Sequence, residues 1–287
     1  MTRRDKGRTL AADLLPPLPL LPEPGVLRVL MIGDAIGKPG RHCLERELPG
    51  LRQERGIDFV TVNGENVAGG MGLTMSTAEA IFDAGADVIT SGNHIWDKRE
   101  LIPQLDGEPR ILRPLTYGSV PGHGWGTVHA GDGTEVAVVN AQGRSTMIPI
   151  ENPFTEMDEL LEGGADTLPT VRLVDFHCEL TSEKTAFGLH LDGRVSAVVG
   201  THTHVPTADH RVLSRGTAYV SDLGMTGPLD SVIGFEPETV LPRFMNGMPT
   251  RFAVGSGPVF FNAVLIDIDP VTGAAHSIER ISRVIEV

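Results

Sequence analysis

The chain has 287 residues, of which 40% are hydrophobic and 21% charged, a balance typical of globular proteins with one large domain or two small ones. The formal net charge of −13 argues against binding to duplex nucleic acid or to an anionic membrane surface. Two cysteines exclude a disulfide framework and a cysteine-rich zinc site. No apolar run reaches the roughly 20 residues that span a bilayer, and we expect a cytoplasmic protein.

The first 25 residues are rich in proline and begin with several basic residues. A signal peptide also combines a basic start with an apolar stretch. Here prolines interrupt that stretch, and no small-residue cleavage site follows it. We therefore predict a disordered leader over residues 1–25 and a single domain over residues 26–287.

From residue 26 onward, short apolar runs alternate with helical stretches. The predicted strands cover residues 26–32, 59–62, 87–90, 135–139, 171–176, 195–199, 217–220 and 258–269. The predicted helices cover residues 40–55, 76–84 and 98–105, and the second opens with a capping box between Ser76 and Glu79. Apolar runs joined by helices indicate buried strands in an α/β fold, and the strand-rich second half indicates mixed sheets.

Polar residues follow the ends of five predicted strands. They are Asp34, Glu65 with Asn66, Asn93 with His94, His177, and His202 with His204. Because sites in α/β sheets form at the carboxyl ends of strands, we expect these side chains to lie together. Carboxylate, amide and imidazole ligands without a thiolate suit Mn, Fe, Zn or Co better than a structural zinc site.

Each of these motifs also has a purely structural interpretation when it is taken alone. Gly33-Asp34 can form a plain turn, Asn63-Gly64 can form a hairpin turn, and Asn93 can cap a helix. A single buried histidine such as His177 is more often a core residue than a metal ligand. In an extended segment His202 and His204 would share a face, although a surface turn is an alternative.

The ordered set resembles the calcineurin-like metallophosphoesterases. The matching blocks are Gly33-Asp34, Asn63-Gly64-Glu65-Asn66, Ser91-Gly92-Asn93-His94, His177 and Gly200-Thr201-His202-Thr203-His204. Two positions depart from the usual pattern: Ile36 replaces a histidine, and Glu65 stands where an aspartate usually bridges two metals. With the strings at residues 33–41 and 200–209, these departures resemble the YmdB-like phosphodiesterases over roughly residues 28–270.

The resemblance implies a layered αββα sandwich of two mixed β-sheets flanked by helices. It also implies two divalent or mixed-valence metal ions, Fe or Mn before Zn or Co. Glu65 is expected to bridge them. One ion would be held by Asp34, His204 and Asn66, with Asn66 in place of the missing histidine, and the other by Asn93, His177 and His202.

The implied activity is hydrolysis of small phosphodiesters, cyclic nucleotides such as 2′,3′-cyclic AMP, by a hydroxide that bridges the metals. His94 would act as general acid, or alternatively orient a ligand. A phosphomonoesterase, an RNA-end nuclease and a regulatory protein acting through partners are alternatives, and the sequence is compatible with a homo-oligomer.

Lys38 and Arg41 are candidates for phosphate contact or for a solvated helix start. We expect residues 222–257 to form either an excursion, a segment that leaves the sheets and passes near the site, or a contact between subunits of an oligomer.

Overall fold

The computed structural model describes residues 18–148, 150–164 and 167–286. The strands are β1 (Leu27–Ile32), β2 (Asp34–Ala35), β3 (Phe59–Asn63), β4 (Val88–Thr90), β5 (Trp125–His129), β6 (Glu135–Gln142), β7 (Val171–His177), β8 (Ala197–Thr201), β9 (Arg211–Val212), β10 (Ala218–Val220), β11 (Met225–Pro228), β12 (Val259–Ile268) and β13 (Ala275–Ile285). The α-helices are α1 (Gly37–Arg55), α2 (Met75–Asp83), α3 (Pro153–Gly163), α4 (Thr181–Leu191) and α5 (Pro237–Asn246). Short 3₁₀ turns cover Asn93–Trp96, Ile102–Gly107 and Leu115–Tyr117.

Two mixed sheets organise these strands. In the first, the order is β2-β11-β12-β1-β3-β4, and β13 pairs along β12. The neighbours β1, β3 and β4 run parallel, whereas β12 runs antiparallel to both β1 and β13. In the second sheet the order is β5-β6-β7-β8-β10-β9, with parallel central strands and antiparallel edges. The prediction of mixed sheets is confirmed.

Three apolar layers separate the sheets and helices. Val29 on β1 and Leu173 on β7 belong to the layer between the two sheets. On the outer face of the first sheet, Leu30 packs with Leu44 and other residues of α1 and α2. On the outer face of the second sheet, residues of α3 and α4 pack against the strands. Because successive strand residues point to opposite faces, continuous apolar strands produce an αββα sandwich, as predicted.

Two helical predictions differ from the structure. Helix α2 is capped by Thr74, which exchanges reciprocal hydrogen bonds with Thr77 instead of the predicted pair Ser76 and Glu79. The helix predicted over residues 98–105 is only a 3₁₀ turn, because Pro103 lacks the amide that a helix interior needs. None of the helices in the described ranges combines the length and apolar character that crossing a bilayer requires.

The predicted leader falls only partly within the described chain. Residues 1–17 lie outside the described residues, whereas residues 18–20 are hydrogen-bonded to the domain. The backbone amide of Leu18 donates to Glu279 Oε2 at 2.9 Å, and the buried guanidinium of Arg28 donates to the carbonyl oxygens of Pro19 and Leu20. The described end of the predicted leader therefore contacts the domain, because a buried arginine uses those carbonyl groups as acceptors.

Candidate metal centre

The fold brings every predicted site residue to one edge of the sandwich. Five strands supply them: Asp34 begins β2, Glu65 and Asn66 follow β3, Asn93 and His94 follow β4, His177 ends β7, and His202 and His204 follow β8. Both sheets contribute, since β3 and β4 belong to the first and β7 and β8 to the second. The carboxyl ends of parallel strands therefore bring these side chains together, as the sequence predicts.

One cluster of ligand atoms surrounds Nε2 of His177. Oε1 of Glu65 lies 3.0 Å from it, Nδ1 of His202 3.0 Å, and Oδ1 of Asn93 3.2 Å. Ligands about 2.1 Å from a metal ion and at right angles are about 3 Å apart, so the spacing suits coordination. Gly92 permits this approach, because a Cβ atom there would lie 2.2 Å from Nε2 of His177.

The hydrogen-bond pattern shows that this cluster requires a positive charge. Thr201 donates its hydroxyl proton to Asp175 at 2.6 Å, so Oγ1 of Thr201 accepts from Nδ1 of His177 at 3.0 Å. Nε2 of a neutral His177 therefore turns a lone pair toward the oxygens of Glu65 and Asn93. Burial opposes the imidazolium, but the Glu65 carboxylate outweighs it and raises the pKa of His177. A bound metal ion would supply the same positive charge.

A second cluster adjoins the first and contains Asp34, Asn66 and His204. Nε2 of His204 lies 3.2 Å from Nδ2 of Asn66 and 3.7 Å from Oδ1 of Asp34. Nδ1 of His204 donates to the carbonyl oxygen of Ile233 at 2.8 Å, which leaves a lone pair on Nε2 facing the cluster. Oδ1 of Asp34 is buried without a hydrogen-bond partner. An orphaned carboxylate oxygen beside an imidazole lone pair fits a metal ligand set.

Backbone strain accompanies the two histidines that follow β8. His202 has φ 98° and His204 has φ 66°, a region that costs a non-glycine residue about 1–3 kcal/mol. Such a conformation persists only where neighbouring contacts hold it. Oδ2 of Asp222 accepts from the amide of Thr203 at 3.2 Å and from its hydroxyl at 2.7 Å. Nζ of the buried Lys184 donates to the same oxygen at 2.6 Å, which fixes the loop between the two histidines.

His94 is adjacent to the clusters and faces a cavity of about 490 Å³. Its backbone amide donates to Oε2 of Glu65 at 2.8 Å, and Nδ1 lies 2.8 Å from Oδ2 of Asp97. The side chain is 30% exposed, in contrast to the fully buried His177. Asp97 therefore orients the ring, and Nε2 is available to a molecule in the cavity.

Several residues of this cavity are absent from the predicted set. Oε2 of Glu179 lies 3.2 Å from Nε2 of His202. Residues 232–252 contribute an apolar wall that includes Phe235, Phe244 and Phe252. Of the two interpretations of residues 222–257, the excursion near the site is the one the structure supports. Its only signal in the sequence is a high content of Gly, Pro and Met.

Three other residues lie outside the lining of this cavity. Arg41 donates to the carbonyl oxygen of Val67, and neither it nor Lys38 is among the residues that line the cavity. Arg41 thus supports the backbone after Asn66, outside the cavity lining. Cys178 is buried, and burial raises the pKa of its thiol to about 12.

A larger cavity, of about 780 Å³, opens at the amino ends of β7 and β8. Three of its charged groups pair with one another: Asp158 contacts Nη1 of Arg194 at 2.5 Å and Nε2 of His190 at 2.9 Å. Among the described residues, Glu65, His177 and His202 form a group that could hold a metal ion, because one potential ligand atom from each lies within 4.8 Å of the others. The smaller cavity is therefore the better functional candidate.

Known proteins match most of this chain, and the matched range includes the residues of both clusters. A family model described as YmdB-like protein matches residues 30–281. The 2′,3′-cyclic-nucleotide 2′-phosphodiesterase of Bacillus subtilis (strain 168) is 46% identical over 256 residues, covering 89% of this chain and 96% of that protein. A crystal structure of a hypothetical protein from Thermus thermophilus is similar with a TM-score of 0.84 and 39% identity, covering 90% of this chain and 100% of that one. A novel phosphatase from Mycoplasma pneumoniae is similar with a TM-score of 0.85 and 33% identity, covering 91% and 94%.

Proposed function

The chain belongs to the family of YmdB-like proteins, and we propose that it is a dinuclear metal-dependent phosphodiesterase that hydrolyses small cyclic nucleotides such as 2′,3′-cyclic AMP. The observation that carries this proposal is the pair of adjoining ligand clusters beside an open cavity. Oε1 of Glu65 lies 3.0 Å from Nε2 of His177 in one cluster and 3.4 Å from Nδ2 of Asn66 in the other. A carboxylate in that position suits a bridging ligand.

In this proposal each cluster holds one metal ion. Glu65 is shared, Asp34, Asn66 and His204 complete one site, and Asn93, His177 and His202 complete the other. Asn66 presents its nitrogen to His204, and a half-turn of the amide presents the oxygen instead. Fe or Mn suits this mixture of oxygen and nitrogen ligands best, with Zn or Co as alternatives. Two such ions, when bound, supply Lewis acidity and a nucleophile at neutral pH.

The chain itself supplies the proton for the leaving group. In the protonated state, His94 has its Nδ1–H directed to Asp97 and its Nε2–H free to face a substrate in the cavity. Donation of that proton to the departing ribose oxygen makes His94 the general acid. The amide of His94 simultaneously holds Oε2 of Glu65, so the acid and the proposed bridging carboxylate keep a fixed separation.

Hydrolysis of 2′,3′-cyclic AMP by the purified protein tests this function. We expect turnover with Mn²⁺ and none after chelation, with products followed by chromatography that resolves the 2′- and 3′-monophosphates. Activity that survives complete removal of metal would contradict the proposal. Release of inorganic phosphate instead of a nucleotide would identify a phosphomonoesterase step.

A further inference from the structure

The cavity beside the ligand clusters is lined by two chemically different sets of residues. One set is polar and consists largely of proposed metal ligands together with His94. The other is apolar and comes mainly from residues 232–252, with Phe235, Phe244 and Phe252 among its members. At about 490 Å³ the cavity falls within the roughly 300–1,000 Å³ usual for small-molecule sites. A phosphate group and two metal ions account for the polar set but leave the apolar set without an occupant.

The apolar set is joined directly to the ligand cluster. The carbonyl oxygen of Ile233 accepts from Nδ1 of His204 at 2.8 Å. Ile233 has φ 47°, an unfavourable value for a β-branched residue, so this segment is held in place against backbone strain. The aromatic wall therefore begins two residues after a group bonded to a proposed metal ligand, and it lines the same cavity as that ligand.

The aromatic side chains form one wall of the cavity, in which Phe235 is only 7% exposed and packs beside the more exposed Phe252. The ring centroids of Phe235 and Phe252 are 5.5 Å apart, with an interplanar angle of 51°. The guanidinium carbon of Arg243 lies 5.6 Å from the Phe252 centroid, within the range of a cation–π contact. Phe244 is 78% exposed, which leaves most of its ring available to a ligand. Aromatic faces combined with an arginine are the groups that bind unpaired nucleobases in other proteins.

We propose that Phe235, Phe252 and Arg243 form a nucleobase subsite, which receives the base of the cyclic nucleotide while its phosphate lies at the ligand clusters. This subsite rests on the proposed phosphodiesterase function and extends it to substrate choice. Stacking tolerates different bases because every base has a π-face. The enzyme therefore discriminates strongly against phosphodiesters without a base and only weakly among the four bases.

A pair of substrates separates recognition of the base from the chemical step. One is 2′,3′-cyclic AMP, and the other is the 2′,3′-cyclic phosphate of methyl riboside, which has the same ring and no base. The measured quantity is the ratio of their kcat/KM values with Mn²⁺. We expect Phe252→Leu, which keeps apolar volume but removes the aromatic face, to lower this ratio about tenfold, mainly through KM for the nucleotide. Adenosine binding to the metal-free protein, measured by calorimetry, should weaken in parallel.

A matched control exists on helix α2. The guanidinium carbon of Arg110 lies 4.0 Å from the centroid of Phe82, a similar arginine–aromatic pair that does not line the cavity. Phe82→Leu should leave the ratio unchanged. A ratio that is the same in Phe252→Leu and in wild type, with both substrates hydrolysed, would overturn the subsite and leave the phosphodiesterase intact. Failure of the folded, Mn²⁺-loaded wild type to hydrolyse either substrate would instead overturn the function on which the subsite rests.

Discussion

The two sides of the cavity differ in how the fold holds them. On the ligand side, Glu65 and His177 are 1% or less exposed, and their contacts come from strand ends of both sheets. On the aromatic side, the residues lie on α5 and its flanking loops, and their exposure ranges from 7% at Phe235 to 78% at Phe244. A metal ion tolerates little displacement of its ligands, whereas a stacked base tolerates more. Rigid strand ends thus suit the chemistry, and a single excursion over the site suits recognition of the substrate.

Because of this difference, we expect substitutions on the two sides of the cavity to affect different quantities, metal binding on one side and substrate affinity on the other. Substitutions on the ligand side should alter metal content or turnover, and those on the aromatic side should alter KM. The sharpest test on the ligand side is Glu65→Ala. We expect loss of both metal ions and of measurable hydrolysis, because Glu65 is the carboxylate shared by the two clusters. Metal-to-protein ratios from mass spectrometry check this.

Glu179 provides the matched control for that experiment. It is a carboxylate in the same cavity and contacts His202, but its side chain is 53% exposed. Glu179→Ala should retain both metal ions. Two ions in purified Glu65→Ala would show that this residue does not bridge them.

A second test concerns His94, which lies between the two sides, and separates a loss of turnover from a loss of metal. In His94→Ala we expect an unchanged metal content and a turnover about 100-fold lower, the usual scale for loss of a general acid. Asp97→Asn should have a smaller effect, because Asp97 acts only by orienting the His94 ring. Near-normal turnover in His94→Ala would remove the proposed acid, and lost metal would instead make His94 a structural support of Glu65.

A third test concerns the support of the strained histidine loop. Asp222 and Asp267 each form a buried ion pair, with Lys184 at 2.6 Å and with Arg28 at 2.7 Å. Asp222→Asn and Asp267→Asn should both destabilise the protein, because each leaves a buried cation poorly compensated. We expect only Asp222→Asn to weaken metal affinity, by about 10–100-fold, since only Asp222 holds the backbone between His202 and His204. Chelator competition, with urea unfolding in parallel, compares the two variants, and equal metal affinities would show that Asp222 has no positioning role.

The ligand side was largely predictable from the sequence, and the aromatic side was not. Strand ends can be recognised in the sequence because the predicted strands end at Ile32, Val62 and Thr90, and polar residues of defined type follow each one. The αββα sandwich follows from the same runs together with the resemblance. The aromatic wall has no comparable signal, because Phe235 and Phe252 are separated by α5 and meet only through tertiary contact. The supporting pair Lys184 and Asp222 was missed for the same reason.

The smallest expected effect concerns Asp34 and the free energy of unfolding of the metal-free protein. Asp34 is fully buried, its Oδ1 has no hydrogen-bond partner, and burial raises the pKa of its carboxyl group. Burial therefore opposes ionisation of this carboxyl group in the metal-free fold, which lowers the free energy of unfolding at neutral pH, where an aspartate in the unfolded chain is ionised. We expect Asp34→Asn to increase the free energy of unfolding of the metal-free protein by about 1 kcal/mol, the usual gain when a functional residue is replaced by a better-compensated one. Excess Mn²⁺ should reverse the order, because wild type binds the ion more tightly and gains more from it. Thermal unfolding with and without Mn²⁺ measures both differences, and a less stable metal-free Asp34→Asn would show that Asp34 is already compensated by His204 and the backbone.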